Sequence, residues 1–158
     1  MLYRQHGPDV FRFAVSLTGD RSDADDITAE TFARALLARE PIVTATAKGY
    51  LFTIARNVFL RTVHKQARMS ALAEHSSLLV DSGPGADART EQRDELRLAS
   101  RNLARLPEID RSALLLRAVH ELPYDEIARV LGITAVAAKV KVHRARLALV
   151  ALHGGSRT

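Results

Sequence analysis

The sequence contains no cysteine and no tryptophan, and aromatic residues make up only 5% of its 158 residues. Without cysteine, the chain can form neither a disulfide framework nor a thiolate metal site. No apolar run approaches the ~20 residues that cross a bilayer, and the N-terminal MLYRQHGPDV lacks the apolar core of a secretion signal. We therefore expect no membrane insertion and a cytoplasmic location.

Signals of enzyme chemistry are also missing from the sequence. The histidines are scattered along the chain, and no glycine-rich phosphate loop or paired metal motif accompanies them. Asp23, Asp25 and Asp26 form a cluster, but helix starts favour acids, and no histidine or further carboxylate is spaced to complete a coordination shell. The sequence thus predicts a protein that is not an enzyme, with no catalytic residue, no metal and no cofactor.

The residues that are abundant favour helices. Ala, Leu, Arg and Glu dominate long segments with a 3.6-residue apolar period, and β-branched residues rarely alternate with polar ones. Hydrophobic residues make up 47% of the sequence, which is enough to build a core. The predicted fold class is all-α.

The helices are predicted to form two small domains. Residues 1–68 would hold three to four helices, and residues 69–92, with glycine and proline near their middle, form a flexible linker. Residues 93–153 form a four-helix domain, and 154–158 form a tail. Basic residues outnumber acidic ones in both domains, which favours an anionic partner.

Helix boundaries follow from caps and breakers. The first domain is predicted to contain helices over Leu2–Leu17, residues 22–40 and residues 49–68. Ser22 is the expected N-cap of the second helix, and Pro41 ends that helix before a polar loop over 41–48. In the second domain, Asp110 is the expected cap of the helix after Pro107. The inward face of the second helix is expected to carry Ala24, Ile27, Thr31, Phe32, Ala35 and Leu36.

The stretch LPYDEIARVLGITAVAAKVKVHRAR, at 122–146, predicts two short helices around a tight turn. Pro123 suits a first helical turn, Gly132 suits a left-handed stop, and Thr134 can cap the second helix. No acidic residue follows Glu126, so this end of the chain has a positive field suited to a polyanion. The pattern is typical of a helix-turn-helix that presents its second helix to DNA. The alternative is a solvated basic surface helix.

One face of that second helix has a distinctive composition. Val136, Lys139, Val140 and His143 follow one another at i, i+3, i+4 and i+7. On DNA, the two valines would touch thymine methyl groups beside a lysine at a base edge or phosphate. In the alternative interpretation, both valines pack against a neighbouring helix. The first interpretation predicts a methyl-rich upstream element.

Motifs in both domains resemble those of bacterial RNA polymerase sigma factors of the extracytoplasmic-function (ECF) type. The first domain carries ADDITAETFARA at 24–35 and YLFTIARNVF at 50–59. The second carries LARLPEIDRSALLLRAVHELPYDEIARVLGIT at 103–134 and KVKVHRAR at 139–146. The resemblance implies a promoter-melting domain, a linker that threads through RNA polymerase and a C-terminal domain that reads the upstream promoter element.

The resemblance also implies roles for particular residues. On the second helix, the residues that would dock on the polymerase clamp are Asp23, Asp26, Glu30 and Arg34. Around the loop at 44–48 and along the third helix, the residues that would capture the melted minus-ten element are Lys48, Tyr50, Arg56, Asn57 and Arg61. At the last helix, the residues that would read the minus-thirty-five element are Thr134, Val136, Lys139, Val140, Lys141, His143, Arg144 and Arg146.

The chemistry of these side chains supports a capture site for single-stranded DNA independently of the family resemblance. Lys48 and Arg56 supply cations for phosphates, the ring of Tyr50 can stack on an unpaired base, and the amide of Asn57 can pair with a base edge. Each residue has an alternative role. Asn57 can bond to backbone, Tyr50 can be a half-buried core aromatic, and Arg56 can neutralise the acidic second helix.

The predicted function is therefore that of a sigma factor that binds core RNA polymerase and promoter DNA and is restrained by an anti-sigma factor when idle. The alternative is a helix-turn-helix transcriptional regulator that does not engage polymerase, which accounts for the second domain only. Met1 stands almost at the start of the first helix, where family members usually have several more residues. Either this helix is short or the true start lies upstream.

Overall fold

The computed structural model describes residues 2–38, 46–72 and 91–157, and every regular element within these ranges is an α-helix. The helices are α1 (Leu2–Thr18), α2 (Arg21–Leu37), α3 (Ala47–Leu72), α4 (Glu91–Ala104), α5 (Glu108–Ala118), α6 (Tyr124–Leu131) and α7 (Ala135–Arg157). We call α1 to α3 the N-terminal lobe and α4 to α7 the C-terminal lobe. The predicted all-α fold with two helical units is confirmed.

The core of the N-terminal lobe consists of large apolar side chains contributed by all three of its helices. The rings of Phe13 in α1 and Phe52 in α3 are fully buried, with centroids 5.0 Å apart. Burying each such ring contributes roughly 1.5–3 kcal/mol relative to an exposed ring. The other large buried apolar residues of this lobe are Val10, Leu17, Ile27, Phe32, Leu51, Val58 and Phe59.

The C-terminal lobe is built around α5, whose consecutive residues Ala113, Leu114, Leu115 and Leu116 are all buried, so that this helix is covered on most sides. Helix α7 crosses it with a stripe of small and branched residues, of which Ala138, Val142 and Ala145 are fully buried. Helix α6 adds Ile127, Val130 and Leu131. The exposed faces of α6 and α7 are thereby fixed relative to one another.

Two predicted caps are wrong. Asp20 rather than Ser22 caps α2, because the chain is extended at Asp20 and its carboxylate accepts a hydrogen bond from the amide of Asp23 at 2.9 Å. Helix α5 begins at Glu108 after Pro107, so Asp110 lies within its first turn rather than at its cap. The Asp110 carboxylate is instead buried against α7.

One predicted core residue is also wrong. Leu36 is 82% exposed. The buried side of α2 is centred near Thr31, and a helix turns by about 100° per residue, so Leu36 points well away from that side. Its neighbour Leu37 is similarly exposed. The second helix thus ends in an uncovered apolar pair.

Some predicted boundaries shift and others fall outside the described residues. Helix α3 continues to Leu72, four residues into the segment predicted as linker, and α7 continues to Arg157 beyond the predicted tail boundary. Residues 73–90 of the predicted linker and residues 41–45 of the predicted loop lie outside the described ranges.

The two lobes pack directly against each other. Helices α1 and α3 contact α5 and α6, and the buried apolar residues of both lobes form one continuous cluster. At the end of α5, Glu121 adopts a left-handed φ of 57°, and the Leu122 amide donates to the Leu116 carbonyl at 3.0 Å. This turn places His120 against the N-terminal lobe, with its ring centroid 4.7 Å from that of Phe52.

Candidate nucleic-acid interface

The corner between α6 and α7 has the geometry that the sequence predicts. Gly132 is left-handed, with φ 71° and ψ 36°, and ends α6. The Thr134 hydroxyl accepts a hydrogen bond from the Ala137 amide at 3.0 Å, which caps α7. Ile133 between them is half-buried and packs against the core. The corner therefore fixes the direction in which α7 leaves the lobe.

The outward face of α7 is open to solvent. Val136 is 73% exposed and Val140 is 51% exposed, and Lys139 and His143 are exposed beside them. The interpretation in which the two valines pack against a neighbouring helix is therefore wrong. The face instead presents two uncovered branched side chains between cationic flanks, a surface that fits a major groove in shape and charge.

One flank of this face is partly neutralised. The Arg144 guanidinium contacts both carboxylate oxygens of Asp110 at 3.2 to 3.3 Å, and Lys141 Nζ lies 3.9 Å from Asp110 Oδ1. Arg144 is still largely exposed, but Lys141 is half-buried against α5. Sequence reasoning missed Asp110 as a partner because it is 34 residues away from Arg144.

The other flank carries Lys139 and Arg146. Lys139 Nζ lies 5.7 Å from the centroid of the Tyr124 ring, and the Arg117 guanidinium lies 4.3 Å from the same centroid. Arg117 also donates to the Leu122 carbonyl at 3.1 Å. This stack ties α5, α6 and α7 together at the corner, and no local sequence pattern points to either Tyr124 or Arg117. Arg146 is exposed at the rim of a groove formed by α4, α5 and α7.

The predicted capture residues of the N-terminal lobe divide into two groups. Asn57 and Arg61 are exposed on α3, and Tyr50 is half-buried at the start of the same helix. Lys48 and Arg56 instead engage the C-terminal lobe. Arg56 makes a bidentate pair with Glu108, Nε to Oε2 at 2.6 Å and Nη2 to Oε1 at 2.9 Å. Arg56 thus neutralises an acid of α5 rather than the acidic second helix.

The electrostatics of Glu108 reflect this pair. Burial raises the pKa of Glu108, but hydrogen bonds from Arg56 and Ser112 and the charges of Arg56 and Arg111 outweigh burial, so its pKa is lowered overall. The Ser112 hydroxyl donates to Oε2 at 2.7 Å. Glu108 is therefore an ionised, well-satisfied partner for Arg56.

Lys48 lies where α1, α3 and the turn after α5 meet. Its ammonium donates to the His120 carbonyl at 3.4 Å and lies 3.7 Å from Asp9 Oδ2. It is also 6.0 Å from the centroid of the Phe52 ring. In this arrangement of the lobes, the charge of Lys48 is directed at protein groups.

The predicted polymerase-docking residues lie on one outer side of α2. Asp26 and Glu30 are exposed, and Arg34 pairs with Glu30 at 2.7 Å. Partial burial, followed by the charges of Asp20 and Asp26, raises the pKa of Asp23. The exposed Leu37 lies on the same side, near the C-terminal end of the helix. Leu36, also exposed, points to a different side.

Neither a metal site nor a membrane-spanning helix is found among the described residues. No group of three or more His, Asp or Glu side chains there is placed to hold a metal ion. No helix in those ranges combines the length and apolar character needed to span a bilayer.

The comparisons with known proteins agree with this geometry. Residues 2–69 match the family description Sigma-70 region 2, and residues 97–149 match Sigma-70, region 4. The two matches fall on the N-terminal and C-terminal lobes in that order. Together with similar proteins of known class, they define the class of this one: the chain belongs to the ECF family of RNA polymerase sigma factors, which are transcription initiation factors rather than enzymes.

Named relatives cover most of the chain. It is 34% identical to the ECF RNA polymerase sigma factor SigE of Mycolicibacterium smegmatis, over 92% of this chain and 57% of that protein. It is 30% identical to the ECF sigma factor SigM of Bacillus subtilis, over 96% of this chain and 93% of SigM. Among solved structures, the sigma factor RpoE of Bartonella quintana, crystallised with the anti-sigma factor NepR, matches with a TM-score of 0.80 and 23% identity, covering 96% of this chain and 94% of RpoE.

Proposed function

We propose that this chain binds core RNA polymerase and directs it to promoters, reading an upstream element with α7 and capturing the melted downstream element with α3. The observation that carries the proposal is the presence, in one chain and in order, of matches to sigma regions 2 and 4. A helix-turn-helix regulator without polymerase binding needs only the second match. The acidic α2 and basic α3 then have no role.

The upstream element is read by the open face of α7. Val136 and Val140 provide apolar contacts for thymine methyl groups, and Lys139 and His143 provide donors to base edges or phosphates. Thr134 at the cap and the cations Arg144 and Arg146 follow the backbone on either side. Lys141, half-buried beside Asp110, acts mainly by holding α7 against α5.

The melted element is captured on α3. Asn57 and Arg61 are free to meet a base edge and a phosphate, and Tyr50 offers part of its ring for stacking. Unstacking a base costs a few kcal/mol, and one aromatic stack returns about 1–3 kcal/mol, so backbone charge must supply the rest. Lys48 and Arg56 are the cations nearest to supply it: Arg56 once its pair with Glu108 is released, and Lys48 once it leaves both Asp9 and the His120 carbonyl.

Polymerase docks on the outer side of α2. Its acidic residues Asp23, Asp26 and Glu30 supply charge, while Leu37 on the same side supplies an exposed apolar side chain of the kind that interfaces bury. The RpoE relative was crystallised with an anti-sigma factor, and an analogous partner of this chain would keep it from polymerase when idle. A factor that acts on chromosomal promoters works in the cytoplasm and needs no cofactor of its own.

The proposed recognition of thymine by Val136 and Val140 is tested by selecting bound DNA from a random double-stranded pool. Wild-type protein is expected to enrich an element with thymine at defined positions. The double variant Val136→Ala, Val140→Ala should lose that preference, because each lost contact with a thymine methyl group removes roughly 1 kcal/mol of binding free energy. Its affinity from phosphate contacts, which depends on salt concentration, should remain.

The matched control changes two other exposed apolar residues of α7, Leu147→Ala with Val150→Ala, and should leave the selected element unchanged. Enrichment by the wild type without any preference for thymine would refute the role given to the two valines.

A further inference from the structure

The aromatic ring of Tyr124 lies beside the exposed face of α7 and attracts two cations. Lys139 Nζ lies 5.7 Å from the ring centroid, and the guanidinium carbon of Arg117 lies 4.3 Å from it. An aromatic ring attracts a cation that lies within about 6 Å of its centroid. The contact of Arg117 is therefore close, whereas that of Lys139 is near the outer limit of this range.

The Tyr124 ring is held in place without any help from Lys139. Tyr124 is the first residue of α6, it follows Pro123, and it is half-buried against the core. Arg117 lies in the last turn of α5, and its Nη1 donates to the Leu122 carbonyl at 3.1 Å. Arg117 thereby joins the end of α5 to the start of α6 and contacts the ring as well. The ring is a fixed surface towards which a flexible cation can be drawn.

Lys139 is the flexible member of this stack. It lies next to Val136 and Val140 on the exposed face of α7. Among the described residues its ammonium makes neither a hydrogen bond nor a salt bridge, which leaves the Tyr124 ring as its partner. Because the lysine stem is long and flexible, an unrestrained ammonium loses much rotational freedom when it contacts one base edge. Contact with the ring removes part of that freedom before DNA binds.

We propose that Tyr124, oriented by Arg117, is a positioning residue for base recognition: its ring confines the Lys139 ammonium to the part of the α7 face from which it reaches the upstream element. Tyr124 itself need not touch the DNA. The inference rests on the proposed reading role of α7 and deepens it, since it assigns part of the base preference to a residue outside the reading helix. At 5.7 Å, the ring guides the charge without holding it away from DNA.

A double-mutant cycle separates this positioning role from a purely structural one. Tyr124→Leu removes the ring but keeps an apolar side chain against the core, whereas Tyr124→Phe keeps both the ring and the packing. Lys139→Met removes the charge and keeps an unbranched side chain. The double variant Tyr124→Leu, Lys139→Met completes the cycle. A loss of packing weakens DNA binding equally with and without the lysine, whereas a loss of positioning has no effect once the ammonium is absent.

The experiment uses the full chain and two duplexes, the element that the wild type selects from a random pool and an unrelated sequence of the same length. Tyr124→Leu is expected to bind the selected element about three- to tenfold more weakly, because one side chain is no longer preorganised. Its base preference should relax at the base pair where Lys139→Met also loses preference, and at no other.

The other arms of the experiment should change little. In the Lys139→Met background, Tyr124→Leu should alter affinity for the selected element by less than about twofold. Tyr124→Leu should have an equally small effect on the unrelated duplex, where binding depends on phosphate contacts. Tyr124→Phe should bind the selected element like the wild type, since the ring is retained.

Three results overturn the inference while leaving the proposed function intact. One is an equal loss of affinity from Tyr124→Leu with and without Lys139, which means that the tyrosine only supports the fold. Another is binding by Tyr124→Leu as tight as that of the wild type or tighter, which means that the ring does not help Lys139 reach DNA. The third is binding by Tyr124→Phe as weak as that of Tyr124→Leu, which assigns the effect to the hydroxyl. A wild type that selects no element contradicts the proposed function of α7 as well.

Discussion

At the residue scale, His120 is the titratable group most altered by the packing of the lobes. It is 5% exposed, and its burial lowers its pKa from 6.5 to about 4. The charge of Asp9 raises the pKa in part, and the charges of Lys48 and Arg12 lower it further. Its ring contacts Phe13 and Phe52 of the other lobe. Protonation of His120 therefore opposes closure of the lobes.

The sign of the resulting pH dependence follows from proton counting. The open or unfolded chain binds the proton at a higher pH than the closed chain does, so stability is complete above about pH 6.5 and is lost as the pH falls towards 4. The pKa of Glu108 is also lowered in the folded chain, so its protonation at low pH reduces stability further. The largest contribution that His120 can make to stability is about 3.5 kcal/mol, at about 1.4 kcal/mol per pKa unit.

Urea unfolding measured across this pH window tests the effect. The free energy of unfolding of the wild type should fall more steeply than that of His120→Phe, which keeps an aromatic ring between Phe13 and Phe52 but cannot take up a proton. Parallel curves for the two proteins would contradict the assigned role of His120.

The residues that sequence reasoning identified correctly are those whose roles depend on near neighbours. Gly132 and Thr134 follow from the local demands of a helix end and a helix start, and the outward position of Val136 follows from helical periodicity. The pairing of Glu108 with Arg56 and of Asp110 with Arg144 was missed because the partners lie 52 and 34 residues apart in the sequence. Local patterns do not determine which distant charges meet.

At the scale of the element, the corner between α6 and α7 depends on the left-handed backbone of Gly132. Gly132→Ala is expected to cost about 1–2 kcal/mol, since a side chain in this conformation is strained even though nothing lies within 4 Å of the added Cβ. The loss should appear in thermal unfolding and in weaker binding to duplex DNA.

The control for this prediction is Gly154→Ala, at a helical site that is equally open. Alanine there should leave stability unchanged or raise it by up to ~1 kcal/mol. Equal stability of the two variants would show that the corner does not depend on the glycine conformation.

Helix boundaries were less predictable than the existence of the helices. Asp20 and Ser22 are both good cap residues, and only the extended backbone at Asp20 decides between them. Leu36 looked like a core residue because it is apolar and close in sequence to Phe32, but the core contacts only a narrow side of α2. Exposure at the end of a helix depends on where its neighbours end, which the helix's own sequence does not encode.

At the scale of the whole molecule, the sequence predicted two helical units but not their contact. The polar part of the contact among the described residues includes the Arg56–Glu108 ion pair, and buried His120 and the close approach at Gly49 complete it. None of these residues stands out in its own segment. Arg56, a basic residue of α3, pairs with Glu108 of α5, and Glu126 of α6 packs on Gly49 of α3.

The central claim is that this chain directs RNA polymerase to specific start points. The most direct measurement is run-off transcription from genomic DNA fragments by core polymerase, with and without the purified chain. We predict discrete transcripts that appear only when the chain is present and that start at a fixed distance downstream of the element selected by α7. If the chain leaves the transcripts of core polymerase alone unchanged and acts only when another sigma factor is supplied, it is a helix-turn-helix regulator, and the central claim is contradicted.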